Sequence, residues 1–200
     1  MGNLRAGIGT SAIHLCIDMQ RMFAPGGPWV TPWMDRVVPV LVPFIERYQQ
    51  STLFTRFIPA KSPESAPGTW QSYYRKWHDM TLDHIDHDLI ELVPPLMRFS
   101  PPAEIFDRRQ YSAFADGRLH HHLLEKRIDT LVITGSETDV CVLSSVLSAV
   151  DHGYRVIIAS DAVCSSADES HDHLLQLYRR RFDIQIELSD IAEITRAWRT

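Results

Sequence analysis

Cys141 lies in the stretch Gly135-Ser-Glu-Thr-Asp-Val-Cys-Val142, directly after the apolar run Leu131-Val-Ile-Thr134 and directly before Leu143-Ser-Ser-Val-Leu-Ser-Ala-Val150. The pattern reads as a buried strand, a glycine-led turn, a thiol, and a helix with apolar residues at helical spacing. At the first turn of a helix the free N–H groups and the positive end of the dipole favour a thiolate. The same N–H groups can hold an oxyanion. The competing reading is a small apolar core residue, since cysteine is often buried. Two more segments favour chemistry. Ile13-His-Leu-Cys-Ile-Asp-Met19 reads as a strand ending in an acid, Asp18, and Glu104-Ile-Phe-Asp-Arg-Arg-Gln-Tyr-Ser-Ala-Phe114 as a short strand and a loop carrying Arg108 and Arg109. An acid, a cation and a thiol, each at the end of its own strand, are the parts of nucleophilic catalysis with general acid–base help.

Such residues would converge at one edge of a parallel sheet, because ligand sites of open α/β sheets lie outside the carboxyl ends of the strands. The hydrophobic patterning supplies those strands. Residues 12–17, 52–57, 105–106, 130–134, 155–159 and 184–188 read as strands. Residues 33–50, 70–80, 117–126, 141–152, 169–181 and 190–198 read as helices, with a short helical turn at 88–93 stopped by Pro94-Pro95. The Pro- and Ser-rich stretch 58–67 is irregular. Alternation of this kind predicts an α/β fold with helices on both faces of a mainly parallel sheet.

The same segments carry a family resemblance. Ile17-Asp-Met-Gln-x-x-Phe23, Tyr111-Ser-Ala-Phe114, Gly135-x-x-Thr-Asp-Val-Cys-Val142, and Ala149-Val-Asp-His-Gly-Tyr-Arg-Val156 followed by Ser160-Asp-Ala162 resemble the isochorismatase-like cysteine hydrolases, which include nicotinamidases and N-carbamoylsarcosine amidohydrolases. The resemblance runs from about residue 10 to about residue 190. It implies a three-layer αβα sandwich whose six-stranded sheet has the order 3-2-1-4-5-6. It also implies a triad of Asp18, the residue three before Tyr111, and Cys141. The family carries a lysine at that middle position, whereas this chain has Arg108. The three lysines, Lys61, Lys76 and Lys126, lie elsewhere. Arginine keeps the charge that stabilises a thiolate but does not shuttle a proton. A cis peptide between Ser136 and Glu137 is implied too, with the Glu137 and Cys141 N–H groups as the oxyanion hole. The implied activity is hydrolysis of a C–N bond in a small amide or carbamoyl-type substrate, without a cofactor. Two alternatives stay open: vinyl-ether hydrolysis of the isochorismatase type, and a catalytically silent ligand-binding relative, the latter motivated by Arg108.

Metal-dependent relatives place Asp and His two residues apart after the second strand, where this chain has Phe57 and Pro59, neither of which binds a metal. His120, His121 and His122 are adjacent on a helix, so their side chains point roughly 100° apart. No metal is expected. Phe23, Phe57, Trp70 and Phe114 are the expected substrate-binding residues, within a wider set of loop aromatics that includes Trp29, Trp33, Tyr73, Tyr74 and Trp77. The alternative for residues 70–77 is burial between subunits. Cys16 and Cys164 read as buried bystanders and Asp161 as a turn acid at the end of the fifth strand.

Composition bounds the rest. Two hundred residues with 44% hydrophobic and 22% charged residues make a single globular domain, 1–200, with 1–10 expected as a flexible tail. A formal charge of −5 leaves no basic patch for nucleic acid. No apolar run approaches a membrane span, the N-terminus lacks the apolar centre of a signal peptide, and three cysteines without framework spacing suit a reducing cytoplasm. The expected partner is a small-molecule substrate, in a homo-oligomer (dimer or tetramer).

Overall fold

Alternation along the first strand sets the layers. All six residues of β1 (Ala12–Ile17) are buried. Ala12 and Cys16 enter one apolar core, while Ile13, Leu15 and Ile17 enter another, as a period of two requires. A strand buried on both faces belongs at the centre of a sheet covered by helices. In the computed structural model, which describes residues 4–199, β1 is joined by β2 (Thr52–Phe57), β3 (Glu104–Arg108), β4 (Thr130–Ser136), β5 (Arg155–Cys164) and β6 (Ile186–Ser189). Their order is β3-β2-β1-β4-β5-β6, and every pairing is parallel.

The helices run in chain order as α1 (Met34–Tyr48), α2 (Trp70–Lys76), α3 (Pro94–Met97), α4 (Arg118–Glu125), α5 (Leu143–Asp151), α6 (Asp168–Arg181) and α7 (Ile191–Ala197). Val37, Leu41, Phe44 and Ile45 of α1 pack with Ile191 and Ile194 of α7 on one side of the sheet. Leu119 and Leu123 of α4, Val146 of α5 and Leu174 and Leu175 of α6 cover the other side. The chain winds outward from β1 in both directions, so the crevice between β1 and β4 is the switch point. There Ile17 pairs with Gly135. Gly135 has φ of +110°, and a Cβ on it would fall 2.0 Å from the Ile17 carbonyl oxygen. Only glycine lets the two central strands close at this point.

Several expectations need correction. β5 is twice as long as its apolar core suggested, so Asp161 lies inside the strand. Its carboxylate accepts the Ile191 N–H at 2.9 Å, at the start of α7. Pro94 and Pro95 begin α3 instead of ending a helical turn, because proline fits the first helical turn, where its missing N–H is no loss. Residues 4–10 are not a free tail. Ile8 is buried, its N–H donates to the Ala197 carbonyl at 2.9 Å, and its carbonyl accepts the Arg199 N–H at 2.9 Å. Arg155 donates to the carbonyls of Ala6 and Gly7 at 2.9 Å. The remainder of the expected tail, 1–3, lies outside the described residues. No helix of the described residues is long and apolar enough to cross a membrane.

His14, fully buried in β1, braces the sheet from within. Its Nδ1 lies 3.1 Å from Thr52 Oγ1 and its Nε2 2.7 Å from Thr134 Oγ1. The Thr52 hydroxyl gives its proton to the Tyr48 carbonyl at 2.9 Å, so it accepts from Nδ1–H, leaving Nε2 to accept from Thr134. Burial lowers the His14 pKa from 6.5 to about 3. Between those two values the unfolded chain binds a proton that the folded chain does not, so stability falls as pH drops from about 6.5 toward about 3. One such proton contributes a slope of about 1.4 kcal/mol per pH unit. Urea unfolding of wild type and His14→Gln across pH 4–6 is expected to show a slope shallower by about that amount in the variant; equal slopes would refute the assignment.

Candidate active site

Three strand ends bring the predicted residues together. Asp18 directly follows β1 and is fully buried, with φ of +48°. Its Oδ1 accepts the Thr55 hydroxyl at 2.7 Å. Arg108 ends β3, two strands away, is only 2% exposed, and reaches across β2 to form an ion pair with Asp18. On the way its guanidinium lies 5.2 Å from the ring centroid of Phe57, its neighbour in the β2–β3 register. It also donates to the Gln110 carbonyl. Cys141 lies beyond β4 at 5% exposure. The turn that carries it is a π turn, Thr138–Val142, and α5 starts only at Leu143. The thiol therefore sits in a widened turn ahead of the α-helix. A single π turn inside a helical segment re-aims one side chain, which is why such turns recur at functional sites.

Burial pushes the Cys141 thiol up from its ordinary value, while the charge and hydrogen bond of Arg108 and the Glu137 N–H pull it down. The net direction is upward. The expectation of a thiol lowered by its helix position is thus corrected: desolvation outweighs the nearby cation. Burial pushes Cys16 and Cys164 up as well, each to about 12, and no cation opposes it at either. The Ser136–Glu137 peptide is cis, and the Glu137 N–H faces the Cys141 sulfur.

Above the thiol opens a cavity of about 300 Å³. Phe23, Trp29, Phe57, Tyr73, Trp77 and Tyr111 form its aromatic wall. Glu137, Val140, Cys141 and Ser166 form the sheet-edge side, and Val30 the rim. Phe23 and Phe57 are thus lining residues, as expected. Trp70 and Phe114 are not. Trp70 stands behind the wall, its ring 4.7 Å from Tyr111 and 5.2 Å from Tyr73, and faces a separate small recess. Phe114 packs into the core under the sheet, against His152 at 5.6 Å and Tyr154 at 6.0 Å, because Ser112 and Ala113 are anchored to Ser148 and Ser145 of α5.

Other residues had no place in the expected site. Thr55 orients Asp18. Gln20 locks β2's end: its Oε1 accepts the Phe57 N–H at 2.7 Å and its Nε2 donates to the carbonyls of Phe57 and Ile90. The Asp-Met-Gln motif held that signal. Tyr111 stood in a quoted motif as well, whereas nothing in sequence marks Ser166. The metal question has a chemical answer. Phe57 turns an aromatic ring toward Arg108 where a carboxylate ligand would be needed, and among the described residues no group of three or more His, Cys, Asp or Glu could hold an ion. The residues present do not fit a metal at this site.

The profile of the isochorismatase domain matches residues 12–190. Isochorismatase family protein 1A of Dictyostelium discoideum is 40% identical over 79 residues, which are 39% of this chain and 37% of that protein's length. Among solved structures, a cysteine hydrolase from Pseudomonas syringae pv. phaseolicola superposes with a TM-score of 0.81 at 21% identity, covering 94% of this chain and 92% of that one. N-carbamoylsarcosine amidase from Thermoplasma acidophilum gives a TM-score of 0.72 at 22% identity, covering 90% and 96%.

The buried ion pair makes a prediction. Arg108→Ala leaves Asp18 charged, buried and unpaired, and is expected to lower unfolding stability by about 3–5 kcal/mol. It also removes the cation that opposes desolvation of the thiol, so iodoacetamide labelling of Cys141 is expected to shift to higher pH. Arg108→Lys keeps the charge and is expected to restore most of the labelling profile. An unchanged profile in folded Arg108→Ala would show that the guanidinium does not act on the thiol.

Proposed function

This chain belongs to the isochorismatase family, and on that premise we propose that it is a hydrolase that uses Cys141 to cleave the C–N bond of a small amide or carbamoyl-type substrate. One observation supports the reading: Cys141 lines the cavity beside Glu137, and behind it the buried Arg108, ion-paired with Asp18, acts on the thiol through its charge and a hydrogen bond.

Cys141 Sγ attacks the carbonyl carbon as its proton passes to Asp18. The carbonyl oxygen takes the electron pair and is held by the Glu137 and Cys141 N–H groups. When the tetrahedral adduct collapses, the C–N bond breaks and the proton on Asp18 goes to the leaving nitrogen. The acyl group remains as a thioester. Water then attacks that carbonyl, giving a proton to Asp18; the C–S bond breaks and the proton returns to the sulfur. Arg108 stays charged throughout. It holds the Asp18 carboxylate in place and favours the thiolate, and it moves no proton.

The raised thiol belongs in this scheme. In the resting protein sulfur keeps its proton, and transfer to Asp18 accompanies attack instead of preceding it. A ligand-binding protein without turnover is the second reading, and the burial of Cys141 is the observation in its favour. Ammonia release from a panel of primary amides and carbamoyl compounds separates the two. Cys141→Ala is expected to cut turnover by at least about 10³-fold with unchanged thermal unfolding, and chelator is expected to leave activity intact. Turnover that survives in Cys141→Ala would exclude the thiol as nucleophile.

A further inference from the structure

The cavity over Cys141 is built mainly from aromatic rings with one acid, Glu137, and has no Lys, Arg or His in its wall among the described residues. Trp29 is its centre. Phe23, Phe57, Tyr73 and Trp77 surround it with centroids 5.8–6.2 Å away, at interplanar angles of 22°, 50°, 52° and 86°. Those mixed inclinations make a cage, not a flat stack. The ionisable groups that line the space are Glu137, Cys141, Tyr73 and Tyr111, each neutral or negative. Burial raises both tyrosines, and Cys141 and Glu137 push them the same way. Glu137 is itself raised by burial and by Asp139, and eased only by its hydrogen bonds to Ser166. It is a half-buried acid on which, among the described residues, no cation acts.

The nearby cations are committed elsewhere. Arg108 is ion-paired with Asp18 and lies against the Phe57 ring, Arg109 lines the separate recess with Trp70 and Tyr74, and Lys76, which does not line the cavity, already lies 5.4 Å from the Trp77 ring centroid. An anionic substrate would meet no counter-charge on the wall. A cation would meet π-systems, to which it is attracted by the ring quadrupole, together with a carboxylate. We infer that the cavity selects ligands whose non-reacting end is an organic cation, such as a methylated ammonium group, caged by Trp29, Trp77 and Tyr73 beside Glu137. If the hydrolase reading holds, the substrate class is a cationic primary amide. That last step rests on the proposed function, whereas the preference for a cation belongs to the cavity alone.

Three small amides test it: trimethylammonioacetamide, its neutral isostere 3,3-dimethylbutanamide, in which carbon replaces the charged nitrogen, and anionic malonamate. Binding to the wild-type protein is read by tryptophan fluorescence, and ammonia release is followed in parallel. The cation is expected to bind about tenfold more tightly than its isostere, with malonamate weakest. Glu137→Gln and Trp29→Leu are each expected to shrink that ratio. Should either variant misfold, the wild-type ratio still decides. Equal affinity for cation and isostere, or tighter binding of malonamate, overturns the inference. A clear preference for the cation with no ammonia released in any arm supports it while counting against hydrolysis, so the two failures are distinguishable.

Discussion

A carboxylate and a guanidinium share a dry site at the carboxyl edge of the sheet, and neither is tolerable there without the other. Asp18 is fully buried and Arg108 nearly so, and an uncompensated charge at such depth is strongly destabilising. The pair therefore fixes geometry over three strands. Asp18 must leave β1 at the right angle, Thr55 of β2 must hold it, and β3 must end with Arg108 aimed across its neighbour. Phe57 is the bridge between them. Its ring is the platform that the guanidinium crosses, and its other surroundings are the cavity. Arg108, where the resemblance implies a lysine, and Phe57, where metal-dependent relatives are expected to carry an acid, are thus in physical contact. A planar, weakly hydrated cation stacks on an aromatic ring, and the ring occupies the place where a ligand would stand.

Much of this was legible in the sequence. Short runs such as Leu131-Val-Ile-Thr134, rich in β-branched residues and closed by Gly135, fit buried strands, and their alternation with amphipathic helices narrows the topology. Asp18 could be found because it ends such a run, Cys141 because a glycine-led turn separates one from a helix, and Arg108 through its place three residues before the Tyr-Ser-Ala-Phe motif. What was not legible depends on contacts made far along the chain. The extension of β5 past Ala159 carries the polar pair Ser160-Asp161, which by local pattern ends a strand. It continues because Asp161 is satisfied by the start of α7. Phe114 and Trp70 are aromatic and near the motifs, but which way each ring turns is decided by the serines of α5 and by the stacking of Tyr111. His14 stood in plain view within β1, yet its partners Thr52 and Thr134 lie 38 and 120 residues away.

The balance of forces at Cys141 separates readiness from reactivity. A neighbouring cation and the Glu137 N–H act on the thiol, but burial acts more strongly. Asp18 is held in place by Thr55 and Arg108, so the acceptor of the proposed proton transfer is fixed in position, whereas the thiol is not made a thiolate in advance. Electrostatic preorganisation of this kind works without a standing pool of thiolate.

That burial has a consequence for the life of the protein under oxidative stress. Peroxides and related oxidants attack thiolates that solvent can reach, and the damage progresses from reversible sulfenic to irreversible higher acids. Cys141 is 5% exposed and keeps its proton at rest, while Cys16 and Cys164 are buried deeper still. All three sulfurs are therefore shielded, and in the proposed reaction Cys141 would be called on only when a ligand fills the space above it. The same withdrawal from water that raises the thiol makes it durable.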